Sequence, residues 1–239
     1  MTKTEKESIY NLLNCASNYL QGFSDNNSKP IEFFDDDDSS IQENAHIEKS
    51  TMTLSVLKSK VDTCTRCQLC KTRRNTVFGE GVENPTVLVV GEGPGANEDE
   101  RGLPFVGEAG HLLDKMLSAI NLSRTTNCFI ANVVKCRPPQ NRDPLPEESA
   151  ACISYLEAQI HLLKPKMILC VGRVAAHNLF KCADPVNSMR GKLYEVQGIP
   201  AMMTYHPSAL LRDSSLKRPA WEDLKLFKKE LDSICQAEL

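Results

Sequence analysis

From about residue 51 onward, short apolar runs of strand character alternate with longer segments of helical periodicity. The strand-like runs are "TVLVVGEG", "CFIANVVKC", "MILCVG", "KLYEVQG" and "IPAMMTYHP". Between and around them "TMTLSVLKSKVDTC", "EAGHLLDKMLSAINL", "EESAACISYLEAQIHLL", "GRVAAHNLF" and "RPAWEDLKLFKKELDSIC" read as helices. Such alternation predicts an α/β fold with a mostly parallel sheet covered by helices on both faces. Ligands of these folds bind in the crevice beyond the carboxyl ends of the strands. A site is therefore expected among residues 91–107, 132–142, 172–173 and 206–212.

Residues 1–50 do not share this pattern. A weak helical periodicity in "TEKESIYNLLNCASNYLQGF" gives way to "SDNNSKPIEFFDDDDSSIQEN", with four consecutive aspartates. The expectation is a short N-terminal helix and a disordered acidic linker, followed by one ordered domain over residues 51–239. The linker reads as a solvated spacer, with an acidic decoy that competes with DNA, or a docking segment, as alternatives. No apolar run approaches the roughly 20 residues that span a bilayer, and no signal-peptide core opens the chain, so a soluble cytoplasmic protein without a membrane partner is expected.

The net charge of −3 is uneven: residues 1–60 carry 6 basic and 10 acidic side chains, which leaves 22 basic and 21 acidic for the remainder. A near-neutral domain permits DNA binding through a local basic face without demanding it. Ten cysteines are many for a chain of this kind and point to a metal site or cluster. "CTRCQLC" places thiols at Cys64, Cys67 and Cys70, and Cys136 and Cys152 flank "RPPQNRDPLPEESAA". A C-x-x-C turn with a second pair from a distant loop makes four-sulfur ligation, of zinc or of an iron–sulfur cluster. Five candidate thiols for four positions leave one over.

The stretch "GEGPGANEDERGLPFVGEAG" follows the first strand and partly imitates a dinucleotide fingerprint through Gly91, Gly93 and Ala96. Pro94 and Gly95 argue against a helix starting there, so the stretch is expected to be irregular and no nucleotide cofactor is expected. "YHPSALLR" follows the last strand, and the Pro207–Ser208 step is expected to take His206 out of regular structure and into the crevice.

Together "GEGPGANEDERGLPFVG", "NVVKCRPPQNRDP", the cysteines and "HPSALLR" resemble the family 4 uracil-DNA glycosylases, over roughly residues 60 to 232. The resemblance implies a three-layer α/β/α sandwich with a central, mostly parallel four-stranded sheet. It implies a [4Fe–4S] cluster on Cys64, Cys67, Cys136 and Cys152, with Cys70 as the bystander. Uracil-containing DNA would be the substrate of a monomeric, nucleoid-associated repair enzyme. By the same resemblance Phe105 stacks on the uracil and Asn132 reads its O4 and N3–H. His206 donates to O2, and backbone N–H groups near Gly93 assist. Glu92 is the first choice for positioning the attacking water, with Glu98 and Asp99 as alternatives; Glu98 could instead shape the pocket where a thymine methyl would have to fit. Ser208, Arg212, Lys217 and Arg218 would contact DNA, with Leu210 or Leu211 as a wedge. Residues 137–151 hold no insertion and no histidine, unlike a related branch that attaches covalently to its DNA, so turnover is expected. The competing expectation is a non-catalytic iron–sulfur replication accessory protein of the same fold.

Overall fold

The computed structural model describes residues 52–237, so the N-terminal helix and acidic linker expected over residues 1–50 lie outside the described residues. The first helix, α1 (Leu54–Asp62), opens at Thr53, whose hydroxyl accepts the Val56 N–H. Such a cap satisfies one of the amides that a helix start leaves unpaired. A two-residue strand β1 (Glu80–Gly81) precedes β2 (Val87–Gly91), α2 (Ala96–Arg101), α3 (Glu108–Ser118) and β3 (Cys128–Asn132). Then come α4 (Pro146–Leu163), β4 (Met167–Val171), α5 (Arg173–Phe180), α6 (Val186–Met189), β5 (Tyr194–Val196), β6 (Ile199–Thr204), α7 (Pro207–Arg212) and α8 (Lys217–Ala237).

The strands form one six-stranded sheet in the order β1-β3-β2-β4-β6-β5. The central four are parallel and the two edge strands are antiparallel. The expected count of four is thus corrected to six, although the parallel core has four. β1 is too short to leave a period-2 signal. β5 folds back on β6 through Gln197 and Gly198, both at positive φ, the geometry of a tight two-residue hairpin turn.

Every residue of β2, β3 and β4 is buried, which is why these runs are apolar throughout rather than alternating. Successive side chains still separate by face. Leu88, Val90, Phe129, Ala131, Ile168 and Cys170 pack with Leu57 of α1, Leu156 and Ile160 of α4 and Ala176 of α5. Val87, Val89, Ile130, Met167 and Leu169 pack with Leu113 and Leu117 of α3 and Phe227 of α8. Two cores on one sheet make the three-layer α/β/α sandwich. Truncating a fully buried ring such as Phe227 would cost about 3–5 kcal/mol.

One expectation about local structure is corrected. The stretch after β2 does contain a helix: Pro94 and Gly95 precede α2 instead of interrupting it. Gly95 is extended, its N–H is accepted by the Glu98 carboxylate at 3.1 Å, and Gly102 ends the helix in the left-handed conformation. Six residues are too few for periodicity to betray the helix. His206 does leave regular structure, as expected: it follows β6 with an extended backbone and caps α7, with Pro207 at the first helical position, where its missing N–H is harmless. No helix among the described residues is long and apolar enough to cross a membrane.

Candidate active site

Register sets the carboxyl ends of the four parallel strands at one level: Gly91 stands opposite Asn132, Val90 opposite Cys170, and Val171 opposite Thr204. From β2 the chain passes to β3 on one side and then crosses to β4 on the other. Crevices in parallel sheets open at such a reversal. The cleft here holds about 1630 Å³ of atom-free space, its open mouth included, and all four expected segments wall it. Glu92, Phe105, Asn132, Gly172, His206 and Arg212 are among its lining residues.

Asn132, at the end of β3, is 1% exposed, and its Oδ1 is buried without a hydrogen-bond partner. A buried acceptor left unmade costs about 1–3 kcal/mol. Proteins keep few such atoms, and one that lines a cleft is poised for a ligand donor. Gly91 makes the room: a Cβ there would lie 2.5 Å from Asn132 Oδ1 and 2.6 Å from Phe105 Cζ. Glycine thus brings an amide and an aromatic ring together over the strand end. Phe105 has φ +53°, a conformation that costs a bulky residue about 1–3 kcal/mol.

The His206 ring lies beside Phe105, with centroids 5.7 Å apart. Its Nδ1 accepts the Ser208 backbone N–H at 3.1 Å and is 2.8 Å from the Ser208 hydroxyl. A backbone N–H can only donate, so Nδ1 is unprotonated and Nε2 carries the proton. Burial first, then the nearby Arg212 charge, push the imidazole down to about 4, against a smaller opposing effect of Glu98. The ring is a neutral N–H donor at physiological pH. Gly172, at φ +96°, lets His206 come close, since a Cβ there would be 2.9 Å from that of the histidine.

The three candidate acids occupy different surroundings. Burial, then the neighbouring Asp143 carboxylate, raise Glu92 to about 7, opposed by Arg173. Glu98 also lines the cleft, but its carboxylate accepts three backbone N–H groups, those of Gly95, Val106 and Gly107. Asp99 is buried and accepts the Arg74 and Asn75 amides, away from the residues lining the cleft. Glu92 alone of the three is free of such backbone duties at its carboxylate among the described residues.

On the rim, the Ser208 hydroxyl is engaged with His206, while Arg212 lines the cleft and is exposed together with Lys217 and Arg218 at the start of α8. Leu211 is 48% exposed, whereas Leu210 is 2% exposed. Of the two, only Leu211 is open to a partner from solvent. A Cβ at Gly93 would lie 2.6 Å from Val134, so the main chain runs tight against the segment that follows β3.

Behind the cleft, on the α1 and α4 side of the sheet, Cys64, Cys67, Cys70, Cys136 and Cys152 line a second cavity, with Arg66, Arg73 and Lys135 and without any carboxylate. The Arg73 guanidinium donates to Cys136 Sγ at 3.1 Å, and the Lys135 amide lies 3.4 Å from Cys152 Sγ. Burial pushes the Cys136 thiol up to about 11 and raises Cys67 and Cys152, so thiolates here need positive counter-charge. Among the described residues no three His, Cys, Asp or Glu side chains group tightly enough to hold one metal ion.

Sequence reasoning passed over Lys135. Its side chain is fully buried and donates to the Asn132 carbonyl at 2.8 Å and to Gln159 Oε1 at 2.6 Å. It connects the end of β3 to α4, and burial lowers it to about 8, with nearby Cys152 and Cys136 opposing. A lysine inside the apolar "NVVKC" was the available signal.

Residues 78–225 match the family described as the uracil DNA glycosylase superfamily. A type-4 uracil-DNA glycosylase of Pyrobaculum aerophilum is 43% identical over 184 residues, covering 74% of this chain and 93% of the relative. The Archaeoglobus fulgidus type-4 enzyme is 40% identical, over 72% of this chain and 90% of its own. That of Thermotoga maritima is 41% identical, over 73% and 93%.

Proposed function

This chain belongs to the uracil DNA glycosylase superfamily, on the type-4 branch, and from that we propose that it removes uracil from DNA by hydrolysing the N-glycosidic bond, as the first step of base-excision repair. The observation that carries the reading is the buried, unpartnered Asn132 Oδ1 in a cleft that also holds the neutral N–H donor of His206. Uracil offers a donor at N3–H for that acceptor and a carbonyl at O2 for that imidazole. Cytosine has an unprotonated N3 and would leave Oδ1 unmade, a loss that polar sites turn into large discrimination.

A base inside a duplex must be rotated out before its glycosidic carbon can be reached. Leu211 fills the vacated stack, and Arg212, Lys217 and Arg218 contact phosphates, which makes binding weaken with salt. Phe105 stacks on the extruded base. Ser208 acts by fixing the His206 tautomer. As the bond from C1′ to N1 of uracil breaks, positive charge grows on the sugar and negative charge on the base, at N1 and O2. The His206 Nε2–H and backbone amides near Gly93 stabilise the negative charge without needing to transfer a proton. Water attacks C1′, its proton passes to the Glu92 carboxylate, and uracil leaves as its N1 anion, which takes up a proton from solvent on release, while the sugar keeps the new hydroxyl as an abasic site. Glu98 holds the loop that carries Phe105 and keeps the wall near the uracil edge in place.

Cys64, Cys67, Cys136 and Cys152 would hold a [4Fe–4S] cluster, which supplies no electron to a hydrolysis and serves to staple the "RPPQNRDP" loop to the C-x-x-C segment. The cation-lined cavity without carboxylates supports this for an anionic centre. The enzyme acts as an intracellular, nucleoid-associated monomer without nucleotide cofactor. Incubation with uracil-containing DNA followed by alkali tests the function: strand breaks at uracil that disappear in His206→Ala are expected. Intact strands with iron-replete wild-type protein would sink it. Purified protein should be brown with about four irons per chain, and Cys70→Ser should keep the colour; a single colourless zinc would overturn the cluster.

A further inference from the structure

Phe105 holds an unfavourable left-handed backbone, and something must keep it there. Its neighbours on three sides do so. Arg124, in the turn before β3 and outside the lining of the cleft, donates from Nη1 to the Pro104 carbonyl at 3.0 Å and from Nη2 to the Phe105 carbonyl at 3.1 Å. Its remaining N–H groups go to Glu80 at 2.6 Å and to Asp114 at 3.0 and 2.8 Å, so all five donors of the guanidinium are occupied. The next two amides, of Val106 and Gly107, are accepted by Glu98. Beneath, Gly110 leaves no slack, since a Cβ there would come within 1.9 Å of the Phe105 carbonyl oxygen.

Two carbonyls and two amides around one aromatic residue are thus fixed by one cation and one anion. Arg124 is itself anchored to β1 through Glu80 and to α3 through Asp114. We propose that Arg124 is a positioning residue that sets the ring plane of Phe105. It does so by clamping the strained Pro104–Phe105 carbonyls to the edge of the sheet. The inference rests on the reading that Phe105 stacks on the flipped base. A planar guanidinium can bridge two carbonyls and two carboxylates at once; an ammonium cannot.

A double-mutant cycle tests it, with Phe105→Ala, Arg124→Gln and the combined variant assayed for kcat and KM on uracil-containing DNA. Misplacing a contact group by about an ångström costs on the order of 100-fold, so Arg124→Gln should lower kcat/KM about 10- to 100-fold. Added to Phe105→Ala, it should lower it no further. Guanidinium ion should restore activity to Arg124→Gly but not to Arg124→Lys. Arg124→Lys, which keeps the charge beside Glu80 and Asp114, takes the place of Arg124→Gln in the cycle if the latter does not fold. Wild-type turnover by Phe105→Ala would overturn the stacking reading itself. A strong loss in Phe105→Ala with a further multiplied loss in the double variant, or full activity in Arg124→Gln, would overturn the role of Arg124 alone.

Discussion

The cleft and the thiol cavity lie on either side of one short segment, "NVVKC", yet they are built on opposite terms. The cleft is open and polar and keeps groups in states they would not choose in water: an unpaired amide oxygen, a neutral histidine at about 4, a carboxyl at about 7 and an aromatic residue at positive φ. The thiol cavity is small and lined by apolar, sulfur and cationic groups with no acid. One region leaves a buried acceptor without a partner; the other sets five thiols among cations. They share the Lys135 link, whose side chain holds the Asn132 carbonyl and whose amide faces Cys152. Damage to the thiol cavity should therefore alter stability, and damage to the cleft should alter rate.

The largest effect is expected on the structural side. Cys152→Ser removes a buried proposed ligand between α4 and the end of "NVVKC". Binding of a structural metal centre is folding free energy, of order 10 kcal/mol in small domains, so the variant should lose its colour and most of its folded yield. Iron content and thermal unfolding check this. Undiminished melting would place the staple elsewhere.

Asn132→Ala is the converse. It deletes a polar atom that has no partner in the free protein, so melting should shift by only a few degrees. Iron content should be unchanged. Activity should fall by about 10²–10³, the size seen when a preorganised transition-state contact is lost. Retention of cleavage, or loss of iron, would erase the distinction between the two regions.

How much of this was legible varies with the range of the interaction. The parallel strands were readable because full burial imposes continuous apolar runs, and the strand-end rule then pointed to the segments carrying Asn132 and His206. β1 was not readable, because two residues have no period. α2 was hidden because Pro94 and Gly95 look like breakers until Glu98 is seen closing the helix start. Phe105 could be picked out beside the other motifs, but neither its left-handed backbone nor its dependence on Arg124, 19 positions away, leaves a local trace. Glu98 and Asp99 looked like chemistry because they are acids next to a site; their partners are backbone amides, which sequence does not display.

A pH profile sharpens the contrast within the cleft. In the role proposed for it Glu92 must be ionised to take a proton from water, and it is raised to about 7. kcat/KM should therefore fall about tenfold per unit as pH drops below 7. His206, lowered to about 4, stays neutral throughout and should add no limb above pH 5. Glu92→Gln should be slow and flat across the same range. A persisting limb at 7 in that variant would assign the proton to another group.

The smallest effect returns Glu92 to the terms of stability. Its carboxyl titrates near 7 when folded and near its ordinary 4.5 when unfolded, so the folded state disfavours the charged form. Below 4.5 both states are protonated and the residue costs nothing. As pH rises from 4.5 to 7 the unfolded chain releases its proton first, and stability is lost until the folded carboxyl also ionises. Above 7 the penalty is constant. Because the group is partly exposed to the cleft, solvent screening reduces the cost to about 1–2 kcal/mol. Glu92→Gln should therefore melt higher than wild type at pH 8, by a few degrees for a domain of this size, and the gap should close as pH falls toward 4.5. The same substitution would lower rate and raise stability, the signature of a group held in the cleft for chemistry at the expense of the fold. Equal melting at both pH values would mean that Glu92 is solvated enough to titrate as an ordinary surface acid.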